Sequence, residues 1–274
     1  ITNYQLLILL RITLFHSIFM VRNSTPMKTK LFDAHFHIIN PQYPLTENNG
    51  YLPPPFTIDD YIKATAFYEI IGGAVVSGSF QAFDQEYLID ALNKLGKNFV
   101  GVANIPVTIT DEELDRLNNA NIVAVRFNVK RGGSEKIEHI EKLSNRLFHK
   151  YGWHTELYID SKDLGDLKSV LHSIPKFSID HLGLSESGLD DLYYWVEKGA
   201  KVKATGFGRI DFDPIPVMKK IYSINPNALM FGTDLPSTRA KVPFSDKDVE
   251  VIRDNFSTDE LERIFYKNAL EFYR

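Results

Sequence analysis

The chain has 274 residues, 44% of them apolar, enough for one large core of the barrel or doubly wound type rather than two small domains. Its 31 Lys+Arg stand against 35 Asp+Glu, a net charge of −4, which gives no bulk electrostatic case for nucleic acid or an anionic membrane and points to a small-molecule partner. The absence of cysteine excludes disulfides, thiolate metal sites and a cysteine nucleophile, and it fits a reducing, cytoplasmic setting.

Residues 1–26 do not resemble the rest. Tyr4 to Val21, "YQLLILLRITLFHSIFMV", is apolar, but Arg11 and His16 interrupt it, no basic region precedes it and no small-residue cleavage site follows. It reads as a leader outside the fold, with an export or anchor segment as the second reading, and the domain is expected over 27–274. From Lys30 onward short β-type runs alternate with helix-type stretches. The runs are Leu31–Ile38, Gly73–Ser79, Asn98–Asn104, Ile122–Asn128, Thr155–Asp160, Lys176–His181, Lys201–Thr205 and Ala228–Thr233. Thr57 ahead of Asp59-Asp60, and Thr110 three residues before Glu113, mark helix starts, while Gly96 and Gly199 mark helix ends. Eight β–α repeats over roughly 240 residues predict a single-domain α/β fold, a (β/α)8 TIM barrel. Asn48 to Phe56, rich in proline, is then a long first βα loop on the face where such barrels build their sites. At the other end of the chain, Leu261, Ile264, Phe265, Ala269 and Phe272 form an apolar helix stripe suited to packing on the barrel wall.

Candidate chemistry gathers at the predicted strand ends. In "KLFDAHFHII" the period-two alternation of a strand puts Asp33, His35 and His37 on one side, which in a barrel is the interior. Alone, an inward histidine is more often a hydrogen-bonded core residue than a ligand. Two other strands end in similar groups, however: "FSIDHLG" places His181 after the sixth run, and "LMFGTDLPS" places Asp234 after the eighth.

These three motifs, D-x-H-x-H, D-H-x-G and G-T-D in that order, resemble the amidohydrolase superfamily, in the subgroup of 2-pyrone-4,6-dicarboxylate lactonase and other lactone hydrolases. The likeness runs from about Leu31 to the C-terminus and includes Arg126 in "VAVRFN", Tyr158 in "ELYID", Tyr51 in "NNGYLPP" and Arg209 in "GFGRIDF". The resemblance implies a hydrolase that opens a small anionic cyclic ester, with Arg126, Arg209, Tyr158 and Tyr51 as substrate-binding residues; Arg131, on the "NVKRGG" loop after the fourth run, and Ser77 are further candidates for that role. Chemistry independently assigns Asp234 as the base that activates water and His35, His37 and His181 as donors to the carbonyl oxygen. Arginine forks hold carboxylates in a planar geometry, which suits Arg126 and Arg209 to an anionic ring, although each arginine taken singly also reads as an ordinary ion pair.

Relatives with two metals carry a bridging Lys or Glu at the end of strand four, where this chain offers Arg126 and Asn128, and a histidine at the end of strand five, where it ends in Tyr158. A binuclear site is therefore not expected. The lactonase branch implies no required cofactor; the alternative is one divalent ion, Zn2+ or Mn2+, held by His35, His37, His181 and Asp234. Three further readings stay open: a mononuclear amidohydrolase or decarboxylase of a carboxylated substrate, a sugar-acid lactonase, and a catalytically silent carboxylate-binding barrel.

Overall fold

A computed structural model describes residues 28–274. The expected leader, residues 1–26, lies outside the described residues. Eight strands, β1 Lys30–Phe36, β2 Glu69–Val76, β3 Phe99–Ala103, β4 Ile122–Asn128, β5 His154–Tyr158, β6 Phe177–Ile179, β7 Lys201–Ala204 and β8 Leu229–Phe231, pair in sequence order, and every pair is parallel. Helices lie between them, as parallel crossovers require. Thr57 caps the helix Ile58–Ala64 reciprocally with Asp60, and the Thr110 hydroxyl accepts from the Glu113 amide at the head of Asp111–Asn119. The result is the expected (β/α)8 barrel. Among the described residues no helix is long and apolar enough to cross a membrane.

The barrel closes between β8 and β1 through residues beyond the end of β8. Asp234 N donates to His35 O and His37 N donates to Leu235 O, both at 2.7 Å, while Thr233 donates to the Asp33 carboxylate from its amide at 2.8 Å and its hydroxyl at 2.7 Å. Gly232 permits this approach, because a Cβ there would meet His35 N at 2.7 Å.

Leu31, Phe36, Val125, Phe127, Leu157, Ile179 and Val202 face the helices and form the main core with them. Inside the barrel the side facing β2 and β3 is filled by small apolar groups such as Ala74, Val76, Val100 and Val102. The opposite side carries Glu156, Asp180, Arg126 and Lys203, all buried. The helix Asn268–Tyr273 caps the lower end, stacking Tyr273 on Phe32 with ring centroids 5.5 Å apart and donating the Tyr273 hydroxyl to Glu156 at 2.6 Å. The predicted stripe behaves as expected, with Ile264, Phe265, Ala269 and Phe272 buried.

One expectation for β1 fails. The ladder between β1 and β2 slips between Asp33 and Phe36, and this bulge interrupts the alternation of sides. Asp33 turns to Tyr61 of the first helix and to Thr233, while His35 points into the barrel toward Lys203 and Asp180. Asp33 therefore fastens the seam of the barrel rather than joining the histidines.

Candidate active site

Short strands set the site. β6 ends at Ile179 and β8 at Phe231, earlier than the sequence predicts, and beyond those ends His181 (φ 52°) and Asp234 (φ 59°) take left-handed backbone outside the strand region. Both side chains are thereby turned over the top of the barrel beside His37, at the carboxyl ends of the strands. His35 and His181 pack edge to face with centroids 4.9 Å apart, and His35 and His37 do so at 5.1 Å. Asp234 Oδ1 lies 3.9 Å from His35 Nε2 and 4.0 Å from His37 Nε2. Its other oxygen, Oδ2, accepts from Arg209 Nε at 2.6 Å.

Hydrogen bonds decide what each histidine presents. The Nδ1 atom of His37 lies 2.7 Å from the Val76 carbonyl oxygen, which only accepts, so Nδ1 carries the proton and Nε2 offers a lone pair. His37 is thus an acceptor toward Asp234 and the cleft, not the carbonyl donor expected from sequence. Burial pushes the His35 pKa below its ordinary value, and burial together with the neighbouring His35 ring and the Arg126 and Arg209 guanidiniums pushes His37 and His181 well below it. Burial also lowers His154, under the site, to about 4.

These shifts have a sign. In the unfolded chain histidines take up protons near pH 6.5, whereas these four stay neutral in the fold, so the unfolded state binds more protons as pH falls and stability drops below about pH 6.5. Asp33 opposes this on its own: burial, only partly offset by its Thr233, His35 and Tyr61 bonds, raises it to about 6, so it favours the fold as pH falls below 6. Urea unfolding should show a loss of roughly 2 kcal/mol between pH 7 and 6. A flat profile over that range would mean that the histidines are charged in the fold.

Above the histidines and Asp234 lies an open cleft whose lining includes four arginines, Arg126, Arg131, Arg209 and Arg239, with His37, His181, Tyr51 and Tyr158. Arg126 spends three of its N–H groups below the cleft, two on Asp180 Oδ2 at 2.9 and 3.3 Å and one on Ser77 O at 2.9 Å, which leaves two. Arg131 donates its Nε to the Tyr158 hydroxyl at 3.1 Å, and among the described residues its Nη groups have no hydrogen-bond partner. Arg239 lies over the Tyr51 ring, 4.4 Å from its centroid, and binds the carbonyl and side-chain oxygens of Asn48. Three loops, following β1, β4 and β8, are thus tied together at the mouth.

The structure brings together His35, His37, His181, Asp234, Arg126, Arg131, Arg209, Tyr51 and Tyr158. It does not bring in the Ser77 side chain, whose hydroxyl turns away to Gln85 at 3.2 Å and Tyr87 at 2.7 Å. Sequence reasoning missed Arg239, Asp180 and Lys203. Asp180 was adjacent to a chosen histidine, Arg239 followed Asp234 by five residues on a βα loop, and Lys203 was an inward-phased lysine in a strand; each carried a readable signal.

One donor atom each from His35, His181 and Asp234 lie within 4.8 Å of one another, and His35 Nε2, His181 Nδ1 and Asp234 Oδ1 are buried with no hydrogen-bond partner among the described residues. Two imidazoles and a carboxylate suit Zn2+ or Mn2+, so this set fits one divalent ion when both imidazoles offer lone pairs. A second group, His35, Glu156 and Asp180, encloses the Lys203 ammonium and is no cation site.

Comparison with known proteins gives the family and agrees with the fold. A family model described as Amidohydrolase matches residues 32–274. A 2-pyrone-4,6-dicarboxylate hydrolase of Comamonas testosteroni is 24% identical, covering 88% of this chain and 89% of its own, and a 4-sulfomuconolactone hydrolase of Hydrogenophaga intermedia is 26% identical, covering 75% and 74%. Among solved structures, an Agrobacterium tumefaciens protein in apo form superposes with a TM-score of 0.78 at 19% identity, covering 92% of this chain and 97% of its own. A protein of Acinetobacter baumannii described as a probable 2-pyrone-4,6-dicarboxylic acid hydrolase, with citric acid bound, gives 0.76 at 22% identity, covering 89% and 98%.

Proposed function

From the premise that this chain belongs to the amidohydrolase family, we propose that it hydrolyses the ring ester of a small lactone bearing more than one acidic group, of the 2-pyrone-4,6-dicarboxylate type. The observation that carries this reading is the cleft itself, in which four arginines converge over a buried Asp–His cluster. A neutral polyol would leave the positive charge of this lining without a counter-charge, whereas carboxylates supply one and match the fork geometry of the N–H groups still open on Arg126 and Arg131. The named activities of the curated relatives, a dicarboxylate lactone and a sulfonated lactone, support the same class.

In this mechanism a water donates to Asp234 Oδ1 and His37 Nε2, the two acceptors that face each other 4.0 Å apart. Asp234 takes the proton as the water oxygen attacks the ring carbonyl carbon. Negative charge then gathers on the carbonyl oxygen, where a ring N–H of neutral His181 and the field of the arginines oppose it. Collapse breaks the ring C–O bond, and Asp234 returns its proton to the departing oxygen. Arg209 holds Asp234 by its far oxygen, which leaves Oδ1 free to act. The three unpartnered atoms favour a second reading, in which His35, His181 and Asp234 would hold a divalent ion, which would supply Lewis-acid chemistry.

The test is the ultraviolet decay of 2-pyrone-4,6-dicarboxylate with purified protein, run with and without prolonged chelator treatment and with Asp234→Asn as the blank. Decay that survives chelation supports the metal-free route; decay lost to chelation and restored by Zn2+ or Mn2+ supports the second reading. No decay under either condition rejects this substrate. Arg131→Ala should raise KM about 10- to 100-fold with kcat nearly unchanged, because its free Nη groups are well placed to bind a carboxylate remote from the reacting carbonyl. An unchanged KM would remove Arg131 from substrate binding.

A further inference from the structure

Lys203 is fully buried on β7, beneath the histidines. Its ammonium donates to Glu156 Oε2, stands 3.7 Å from Asp180 Oδ1, and reaches His35 Nδ1 at 3.4 Å. Glu156 is held in turn by the Tyr273 hydroxyl at 2.6 Å and lies 3.3 Å from His154 Nε2. Buried ion pairs of this kind are often no more stable than apolar packing of the same volume, so the retention of an ammonium beside a site histidine invites a role beyond stability.

A protonated lysine has three donors and no acceptor. Its contact with His35 Nδ1 therefore requires a lone pair on that nitrogen, and a neutral imidazole must then carry its proton on Nε2. Asp180 competes for the opposite arrangement from 3.5 Å. Its Oδ2 is bound by Arg126, however, and its Oδ1 forms no hydrogen bond. The ammonium is nearer and repels an N–H dipole aimed at it. We propose that Lys203 is a positioning residue that fixes His35 as the tautomer protonated at Nε2, so that His35 turns an N–H rather than a metal-binding lone pair toward Asp234 Oδ1, 3.9 Å away. The neighbouring histidines then have opposite parts around one carboxylate oxygen, since His37 presents the lone pair of its Nε2 and His35 presents a proton. An ion bound at His35 Nε2 would first have to drive that proton to Nδ1, against Lys203. The catalytic meaning of this arrangement rests on the function proposed above; the tautomer itself does not.

Ring-nitrogen NMR on the full chain labelled with 15N-histidine tests the proposal, with the His35 signals identified by their loss in His35→Gln. The expected spectrum shows a protonated Nε2 and an unprotonated Nδ1 for His35, and the reverse for His37. A protonated Nδ1 on His35 in the wild-type protein overturns the proposal, whether or not any variant folds. In Lys203→Met combined with Glu156→Gln, which removes the partner charge as well, the two His35 signals should exchange types. Zn2+ alone, titrated against a competing chelating dye, should then bind roughly 10- to 100-fold more tightly than to wild type. A folded double variant with an unchanged His35 tautomer also overturns the role of Lys203. Lactone turnover followed in the same samples separates the two ideas: a protonated Nε2 without turnover rejects the proposed function and leaves the tautomer standing.

Discussion

Asp234→Asn should lose roughly 10²–10⁴-fold in kcat with little change in KM, because the substitution removes a proton acceptor and almost nothing else. The amide is nearly isosteric, and the backbone bond from residue 234 N to His35 O, which helps close the barrel, is untouched. Arg209 Nε decides how the new amide lies. It needs an acceptor where Oδ2 now stands, 2.6 Å away, so the asparagine oxygen is drawn there and the NH2 group takes the place of Oδ1. A donor then faces His37 Nε2, where in the wild type a carboxylate oxygen and an imidazole lone pair both accept. Stopped assays at saturating lactone check this, with a thermal melt as control for folding. Turnover within about threefold of wild type would exclude general-base work by Asp234.

The barrel was readable because its signal is redundant. β4 was bounded to the residue by "IVAVRFN", and a misjudged end elsewhere did not disturb the count of eight. The less regular parts were not readable from periodicity. Nothing in "KLFDAHFHII" announces the slip that sends Asp33 outward to Tyr61, because bulges arise from the neighbouring strand's register. Similarly, "FSIDHLG" and "LMFGTDLPS" name the right residues, but left-handed backbone at His181 and Asp234 is what lifts them out of the strands and over the cleft. The tautomer of His37 depends on a carbonyl 39 residues away, so its change from donor to acceptor lay outside any local pattern. Arg126 was legible as a charged residue on an inward strand position, yet whether it served substrate or structure was not; it does serve the protein's own Asp180.

That double attachment makes Arg126→Ala the second large effect: a loss of roughly 3–5 kcal/mol of stability, with a Tm lower by about 10 °C, besides any loss of substrate binding. Arg126 and Asp180 are both buried, and the guanidinium supplies the only hydrogen bonds to Asp180 Oδ2 among the described residues. Burial pushes the Asp180 carboxyl up, but its neighbours His35, Lys203 and Arg126 together hold it well below the usual carboxylate range. A carboxylate with a depressed pKa stabilises the fold above its unfolded value near 3.9, and that contribution fades as pH falls through the folded value. Removing Arg126 brings the folded value back toward the unfolded one, so the stability gap between variant and wild type should be wide at pH 7 and should begin to narrow only below about pH 4, closing as pH falls through the lower folded value. Arg126→Ala with Asp180→Asn discriminates further. Without the buried charge the double variant should recover much of the stability, whereas KM should stay raised if the two remaining N–H groups of Arg126 bind the substrate. Full recovery of both would make Arg126 a purely structural residue, and an unchanged Tm in the single variant would show that Lys203 and His35 suffice for Asp180.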